Sequence, residues 1–432
     1  MGVRLSFDDT LKNVQKKLST DHKELLNRDN VGKELLMSYI SSYLYEMDAE
    51  VDGYSETELA EILYYEMAEF SFLSRYFERE DVEEININAW DDTKIHYSNG
   101  KIQRSKEQFR SPTHAVDVIR RLLSRSNMVL DAAAPITVGH LSKRIRITAM
   151  LEGVIDKGLG VAVSIRIVNA RKLSKRDLVA GGTATSEMIR DLSDFYRCGA
   201  SLCLTGETNS GKTTIMSCIL GDLPDDKRIV TLEQDTREFE LVKKTADGVT
   251  LNSVVHLVTR PSKGDTQNID MTKLLETALT INPDYLVVAE MKSTEAVLAI
   301  SAANTGHAVM TTIHSGSCFD TYNRMLILSK QKYDISENMI LKLAARAFPI
   351  TVFCKKLSDG VRRIMEIAEC LGINEYGEPI MSTLYKYKVY GEGTDEYGTP
   401  VIKGEFVKEN DISERLCVFL KENGYRPVVT EV

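Results

Sequence analysis

Several things are scarce in this chain, and each scarcity narrows what it can be. Its 432 residues hold no apolar run approaching the ~20 that a membrane-spanning helix needs. The opening Met-Gly-Val-Arg-Leu-Ser-Phe-Asp-Asp-Thr lacks the apolar core of a secretory leader, so none is expected. Met-Gly-x-x-x-Ser does fit a myristoylation pattern, but Asp8 and Asp9 give an anchor no basic support, and the match reads as accidental. Cysteine is sparse: seven residues, an odd number, none in C-x-x-C spacing. A disulfide frame and a zinc site are therefore not expected, and a reduced cytosolic compartment is. Positive charge is short too, with 54 Lys and Arg against 63 Asp and Glu and a pI near 5.5. That balance argues against a general nucleic-acid surface while leaving room for a local basic channel.

What is present reads as an ordinary folded chain, 43% hydrophobic and 27% charged, long enough for two or three domains with their own cores. Its organising stretch is Ala200–Leu220. Ser201–Thr205 is an apolar run suited to a buried strand, and Thr213–Leu220 has the spacing of a buried helix. Between them Gly206, Glu207, Thr208, Asn209, Ser210, Gly211, Lys212 and Thr213 fit G-x-x-x-x-G-K-[ST], with Thr214 following. Glycines let backbone N–H groups curl around phosphate oxygens, and the helix start adds its dipole. Lys212 reaches the outer phosphates, and the Thr213 hydroxyl can ligate Mg²⁺. Asn209 stands where many such loops carry glycine; asparagine is the non-glycine residue that best tolerates positive φ, so the loop still closes. This is a nucleotide phosphate site.

Residues 1–78 read as helical, from Leu25-Leu26, Val31, Leu35-Leu36, Ile40, Leu44, Leu59 and Leu63 at helical intervals, broken by the polar Asp48–Thr57. An α+β module over 79–168 follows. Val82–Asn88 and Lys94–Tyr97 alternate, Ser98–Lys101 signals a hairpin, Pro112–Ser126 is an amphipathic helix, and Arg144–Met150 and Val161–Val168 are strands. Lys143, Arg144, Arg146 and Arg166 beside those strands fit two readings: edge-strand protection, which composition favours, or a phosphate contact. Asn169–Asp177 reads as a charged linker, and 178–432 as the nucleotide domain. There, apolar runs alternate with helical patterns, which implies an α/β fold on a mostly parallel sheet. Arg228–Leu232 ends at Glu233, and Tyr285–Ala289 ends at Glu290. Residues ending parallel strands face the crevice where such sheets bind ligands. Two acidic strand ends beside one phosphate loop suit Mg²⁺ holding and water orientation. His314, ending Ala308–Ile313, suits either a γ-phosphate contact or a plain structural role. Beyond Ile350 come strands and turns: a hairpin through Asp359-Gly360, a loose acidic loop at Gly391–Gly398, and a helix over Asp411–Asn423.

Four segments occur in order: G-E-T-N-S-G-K-T-T, T-L-E-Q-D-T-R-E-F-E-L, N-P-D-Y-L-V-V-A-E-M-K and N-T-G-H-A-V-M-T-T-I-H-S. The set resembles the Walker A, Asp box, Walker B and His box of the type II/type IV secretion ATPase superfamily, across roughly residues 80–380. It looks most like the tight-adherence (Tad) pilus ATPases, through T-R-E-F and A-E-M. The resemblance implies a RecA-like P-loop NTPase core, a preceding α+β domain, and a homo-hexamer binding ATP with Mg²⁺ between its two domains. It implies that Glu233 orients the attacking water, that Glu290 acts beside Mg²⁺ with Thr213, and that Lys212 and His314 complete the catalytic set. It favours Arg146 and Arg166 as nucleotide clamps, for which a guanidinium fork is suited. The machine it implies is cytoplasmic, held peripherally at the inner face of the membrane by a platform protein, and drives pilus assembly or secretion without stable nucleic-acid binding. A conjugative DNA-transfer motor and a nucleotide-gated scaffold with weak hydrolysis stay open as alternatives. Against the family pattern, Gln234 replaces an aspartate with Asp235 following, Ala289 replaces glycine, Lys292 replaces arginine, and Thr280 and Asn282 stand where arginines are common. The zinc-binding four-cysteine insertion of the type II branch is absent.

Overall fold

The computed structural model describes residues 3–22, 33–98, 100–142, 144–167, 173–234, 237–260, 268–331, 334–396 and 398–426. The chain forms two compact units, Met1–Asn169 and Ala170–Val432.

In the first unit, Ser6 and Ser55 cap the helices Phe7–Asp21 and Glu56–Ala68, the second through a capping box with Glu58. With Lys33–Glu46 these helices bury Leu11, Leu18, Ile40, Leu44, Leu59 and Leu63 in one small core. The apolar residues Leu25, Leu26 and Val31 lie outside the described residues. A six-stranded antiparallel sheet follows in the order 102–104, 92–97, 82–89, 161–167, 145–151, 136–142. Period-2 alternation puts Ile147, Ala149, Val163 and Ile165 on one face, where Ile119, Leu122 and Leu123 of the helix Pro112–Ser124 cover them. The opposite face carries Arg146 and Arg166.

The second unit is built on a nine-stranded sheet. Its first six strands run parallel in the order Ser253–Val258, Arg228–Glu233, Tyr285–Val288, Ala308–Ile313, Leu202–Gly206, Ile350–Lys356. Arg362–Ile373, Pro379–Thr394 and Pro400–Lys408 continue it antiparallel. Leu202–Gly206, Tyr285–Val288 and Ala308–Ile313 are buried at every position because both faces are covered, whereas the edge strand Ser253–Val258 is largely half-buried. Leu204 packs with Met188, Leu192, Ile215 and Ile219 of the helices Ser186–Arg197 and Lys212–Leu220. Cys203, one residue away, faces the other core, with Leu275, Ala299, Met325 and Ala344.

Three expectations change. A helix, Lys175–Ala180, starts inside the stretch read as linker, because Ser174 and Asp177 form a capping box; 169–172 lie outside the described residues. The chain after 350 is no appendage: Ile350–Lys356 lies in the sheet itself, beside the phosphate-loop strand. Nor is Gly391–Thr394 loose, since Gly391, Glu392, Gly393 and Thr394 pair with Lys403, Ile402, Val401 and Pro400. Turn composition had hidden that ladder.

Candidate functional site

The parallel strands order the site. Leu202–Gly206 runs to the carboxyl edge of the sheet and turns directly into the helix Lys212–Leu220. The turn needs its residue types. Gly206 has φ 144°, and a Cβ there would lie 2.1 Å from the Cys354 carbonyl oxygen of the neighbouring strand. Asn209 sits at φ 63° and Gly211 at φ 91°, which closes the loop as its composition required. Glu207, Thr208 and Asn209 are exposed, and Thr213 and Thr214 are half-buried in the first helical turn. Ser210 is buried, and its hydroxyl has no hydrogen-bond partner.

Lys212 is 8% exposed and donates from Nζ to the Gly206 and Glu207 carbonyls, at 2.8 and 2.7 Å. Burial pushes its ammonium pKa down, while Cys354 and Glu290 nearby oppose that shift. His314, after Ala308–Ile313, approaches the same Gly206 carbonyl through Nδ1 at 3.1 Å. Its Nε2 lies 2.9 Å from Glu290 Oε1, without hydrogen-bond alignment, since that buried oxygen has no hydrogen-bond partner. Glu290 Oε2 takes the Lys292 ammonium at 3.0 Å. Neighbouring strand ends fix these groups: Met291 N donates to Thr312 O, and Thr312 Oγ1 to Ala289 O. Lys212 and His314 thus meet at one carbonyl, with Glu290 beside His314.

Glu233 is placed differently. It is 1% exposed, so the expectation of a carboxylate presented to the crevice needs correcting. Thr231 Oγ1 donates to its Oε1 at 2.9 Å, and the backbone amides of Glu238 and Phe239 donate to its Oε2. His256 Nδ1, on the next strand, lies 2.7 Å from Thr231 Oγ1 and 3.3 Å from Glu233 Oε1. The chain after the strand folds back and consumes the carboxylate, a long-range effect no local pattern carries. Gln234 is exposed and lines a cavity of about 260 Å³ with Thr259, Asp270, Glu290 and Lys292. Asp235 lies outside the described residues. Asn282, at φ 54°, makes the turn leading into Tyr285–Val288 at the opposite edge of the sheet, which suits asparagine better than arginine.

In the first unit, Arg146 and Arg166 occupy directly opposed positions on adjacent strands, with Glu84 across from Arg166 on its other side. Neither strand is at the edge, so edge protection does not account for them. Lys143 lies outside the described residues. Arg144 falls in the turn before its strand.

Two residues escaped the sequence reading. His256 stands in a stretch to which no role was given, and Arg362 follows the hairpin turn at Asp359-Gly360. Arg362 Nε donates to Asn209 O at 3.0 Å and Nη2 to Asn209 Oδ1 at 2.6 Å, across 153 positions of sequence. No spacing rule links such a pair.

With this geometry in hand, the family model described as Type II/IV secretion system protein matches residues 117–388, well over half of the chain. The chain belongs to that family. The family match starts within the helix Pro112–Ser124 and ends within the strand Pro379–Thr394. Among relatives, the type IV secretion system protein VirB11 of Bartonella henselae is 27% identical over 188 residues, 43% of this chain and 50% of its own length. PtlH, a type IV secretion system protein of Bordetella pertussis, is 34% identical over 143 residues, 32% of this chain and 40% of its own. An uncharacterised Methanocaldococcus jannaschii protein is 30% identical over 246 residues, 57% of this chain and 84% of its own. The match to this family chain thus spans half or less of the VirB11 and PtlH sequences.

Proposed function

We propose that this family member is an ATPase that drives secretion or the assembly of a type IV pilus. The observation carrying the reading is the convergence of Lys212 and His314 on the Gly206 carbonyl, with Glu290 beside His314, at the carboxyl edge of a parallel sheet. A loop of this shape cradles phosphate oxygens with its amides. Lys212 would exchange its two carbonyl partners for oxygens of the outer phosphates. His314 lies where a γ-phosphate oxygen could replace one of its contacts.

The donor set fits Mg²⁺. The Thr213 hydroxyl and the Glu290 carboxylate are hard oxygens, and Glu290 Oε1 is buried without a hydrogen bond. Among the described residues no three His, Cys, Asp or Glu side chains gather as a metal cage, which suits an ion held mainly by substrate phosphates and waters. Bound there, Mg²⁺ would neutralise charge on the β- and γ-phosphate oxygens. Glu233 would orient the attacking water only after releasing the amides of Glu238 and Phe239. Arg146 and Arg166 are our further phosphate contacts, supported by two guanidinium groups at facing positions.

The wider reading is a homo-hexamer acting at the inner face of the cell membrane through a platform protein, of the tight-adherence branch, with 1–78 as a docking segment. The type IV secretion names of VirB11 and PtlH support the secretion part of that reading.

The test is phosphate release by the full chain in Mg-ATP. Turnover should fall about a hundredfold or more in Lys212→Ala and in Glu290→Gln. A parent that binds ATP without releasing phosphate would replace this reading with a nucleotide-gated scaffold. Stimulation by single-stranded DNA would replace it with a conjugative motor.

A further inference from the structure

We propose that Arg362 is a positioning residue for the phosphate loop, and that Asn209 stands in place of glycine because it is the other half of that contact. The inference rests on reading the loop as an ATP site, and it starts from the strand beside the loop. Ile350–Lys356 runs parallel to Leu202–Gly206, with Cys354 level with Gly206, so its last residues pass beyond the carboxyl edge. The chain must then turn back over the loop. It does so in a tight turn, closed by bonds from Gly360 N to Leu357 O and from Leu357 N to Val361 O, which puts Arg362 opposite Lys356.

Successive strand residues face opposite ways. Arg363 faces the sheet interior: it is buried, forms two bonds to Asp359 at 2.9 and 2.7 Å, and lies 5.1 Å over the Tyr387 ring. Asp359 also accepts from Val361 N. With Arg363 fixed, Arg362 faces the loop. Its aliphatic stem lies over Gly211, where an added Cβ would meet Arg362 Cδ at 3.3 Å and Cβ at 3.4 Å. Its guanidinium takes both oxygens of Asn209, main chain and side chain.

The chemistry explains the asparagine. Positive φ at this position is open to glycine and asparagine alike, but only asparagine offers a second oxygen to a two-pronged donor. The loop is therefore held from outside by a residue the hairpin supplies, and its amides are set before phosphate arrives. Preset groups bind more tightly because less ordering is left to do on binding.

The experiment measures the dissociation constant for ATP, with Mg²⁺, of the full chain and of Arg362→Gln, Arg362→Lys, Asn209→Gly and the Arg362→Gln/Asn209→Gly double variant. Melting of each without nucleotide is followed alongside. Arg362→Gln should weaken ATP binding about tenfold, as losing a charged hydrogen bond implies. Asn209→Gly should weaken it similarly, the double variant about as much as either single, and lysine, a point donor, should fall between. Melting should fall by no more than about 4 °C, so that the weaker binding is not a loss of fold. The proposal fails if the parent binds ATP and Arg362→Gln binds within about twofold of it, or if the two losses multiply to about a hundredfold, since contacting residues should not act independently. A parent that binds no ATP overturns the nucleotide reading and this inference together.

Discussion

Gly206→Ala is the most exacting perturbation of the site, because its cost can be worked from the structure. The residue has φ 144°, a region alanine rarely adopts, and a Cβ would lie 2.1 Å from Cys354 O and 2.9 Å from Ser210 Oγ. Backbone strain of this kind costs about 2 kcal/mol. Forcing a methyl into packed surroundings costs about 2 more, because Cys354 is tied into the central ladder and cannot swing aside. About 4 kcal/mol would lower the melting temperature of a unit this size by roughly 12 °C. The two strands would part just where the Gly206 carbonyl receives Lys212 and His314, so phosphate release should vanish too. Gly306→Ala is the control: its φ is 99°, but no atom lies within 4 Å of the added Cβ. Strain alone, about 1 kcal/mol, predicts a fall of roughly 3 °C. Calorimetric melts of both variants without nucleotide decide the matter. Should Gly206→Ala melt within 2 °C of the parent, or no lower than Gly306→Ala, the close approach of loop and strand is misjudged.

Three further outcomes are expected. Glu233→Ala strands the buried amide of Phe239 and the half-buried amide of Glu238, so it should cost about 2–4 kcal/mol in denaturant melts, before any effect on turnover is counted. In the first unit burial pushes the Glu66 pKa up, but His114, Ser71 and Arg110 outweigh it and hold the carboxyl below its usual value. A carboxyl so lowered stabilises the fold above its ordinary pKa and ceases to as pH falls through its folded one. Glu66→Gln should therefore cost about 2 kcal/mol at pH 7, and the gap to the parent should narrow as pH falls below the ordinary glutamate pKa of about 4.3. Burial pushes the Cys354 thiol up to about 12, so it should resist alkylation in the native chain and react only on unfolding, as mass spectrometry of labelled peptides would show.

The phosphate loop was legible because its determinants are local. Positive φ selects Gly206, Asn209 and Gly211, and the apolar run before and helical spacing after fix strand and helix within a score of residues. The parallel sheet was legible too, since strands covered on both faces must be largely apolar, as Leu202–Gly206 and Tyr285–Val288 are. Gly391–Thr394 misled for the converse reason: its glycines and acids imitate a loop, and only the partner strand Pro400–Lys408 makes it a ladder.

The sequence by itself therefore determined which residues turn and which strands are covered, and it marked the loop proposed to hold phosphate, because each depends on neighbours along the chain. Tertiary structure alone decided the roles of the side chains. It buried Glu233 beneath returning amides, set His314 between Gly206 and Glu290, and brought Arg362 to Asn209 from 153 positions away. Such contacts depend on which strands become neighbours and on how far each runs past the sheet edge. That outcome follows from packing the whole core, and no short stretch of the chain contains it.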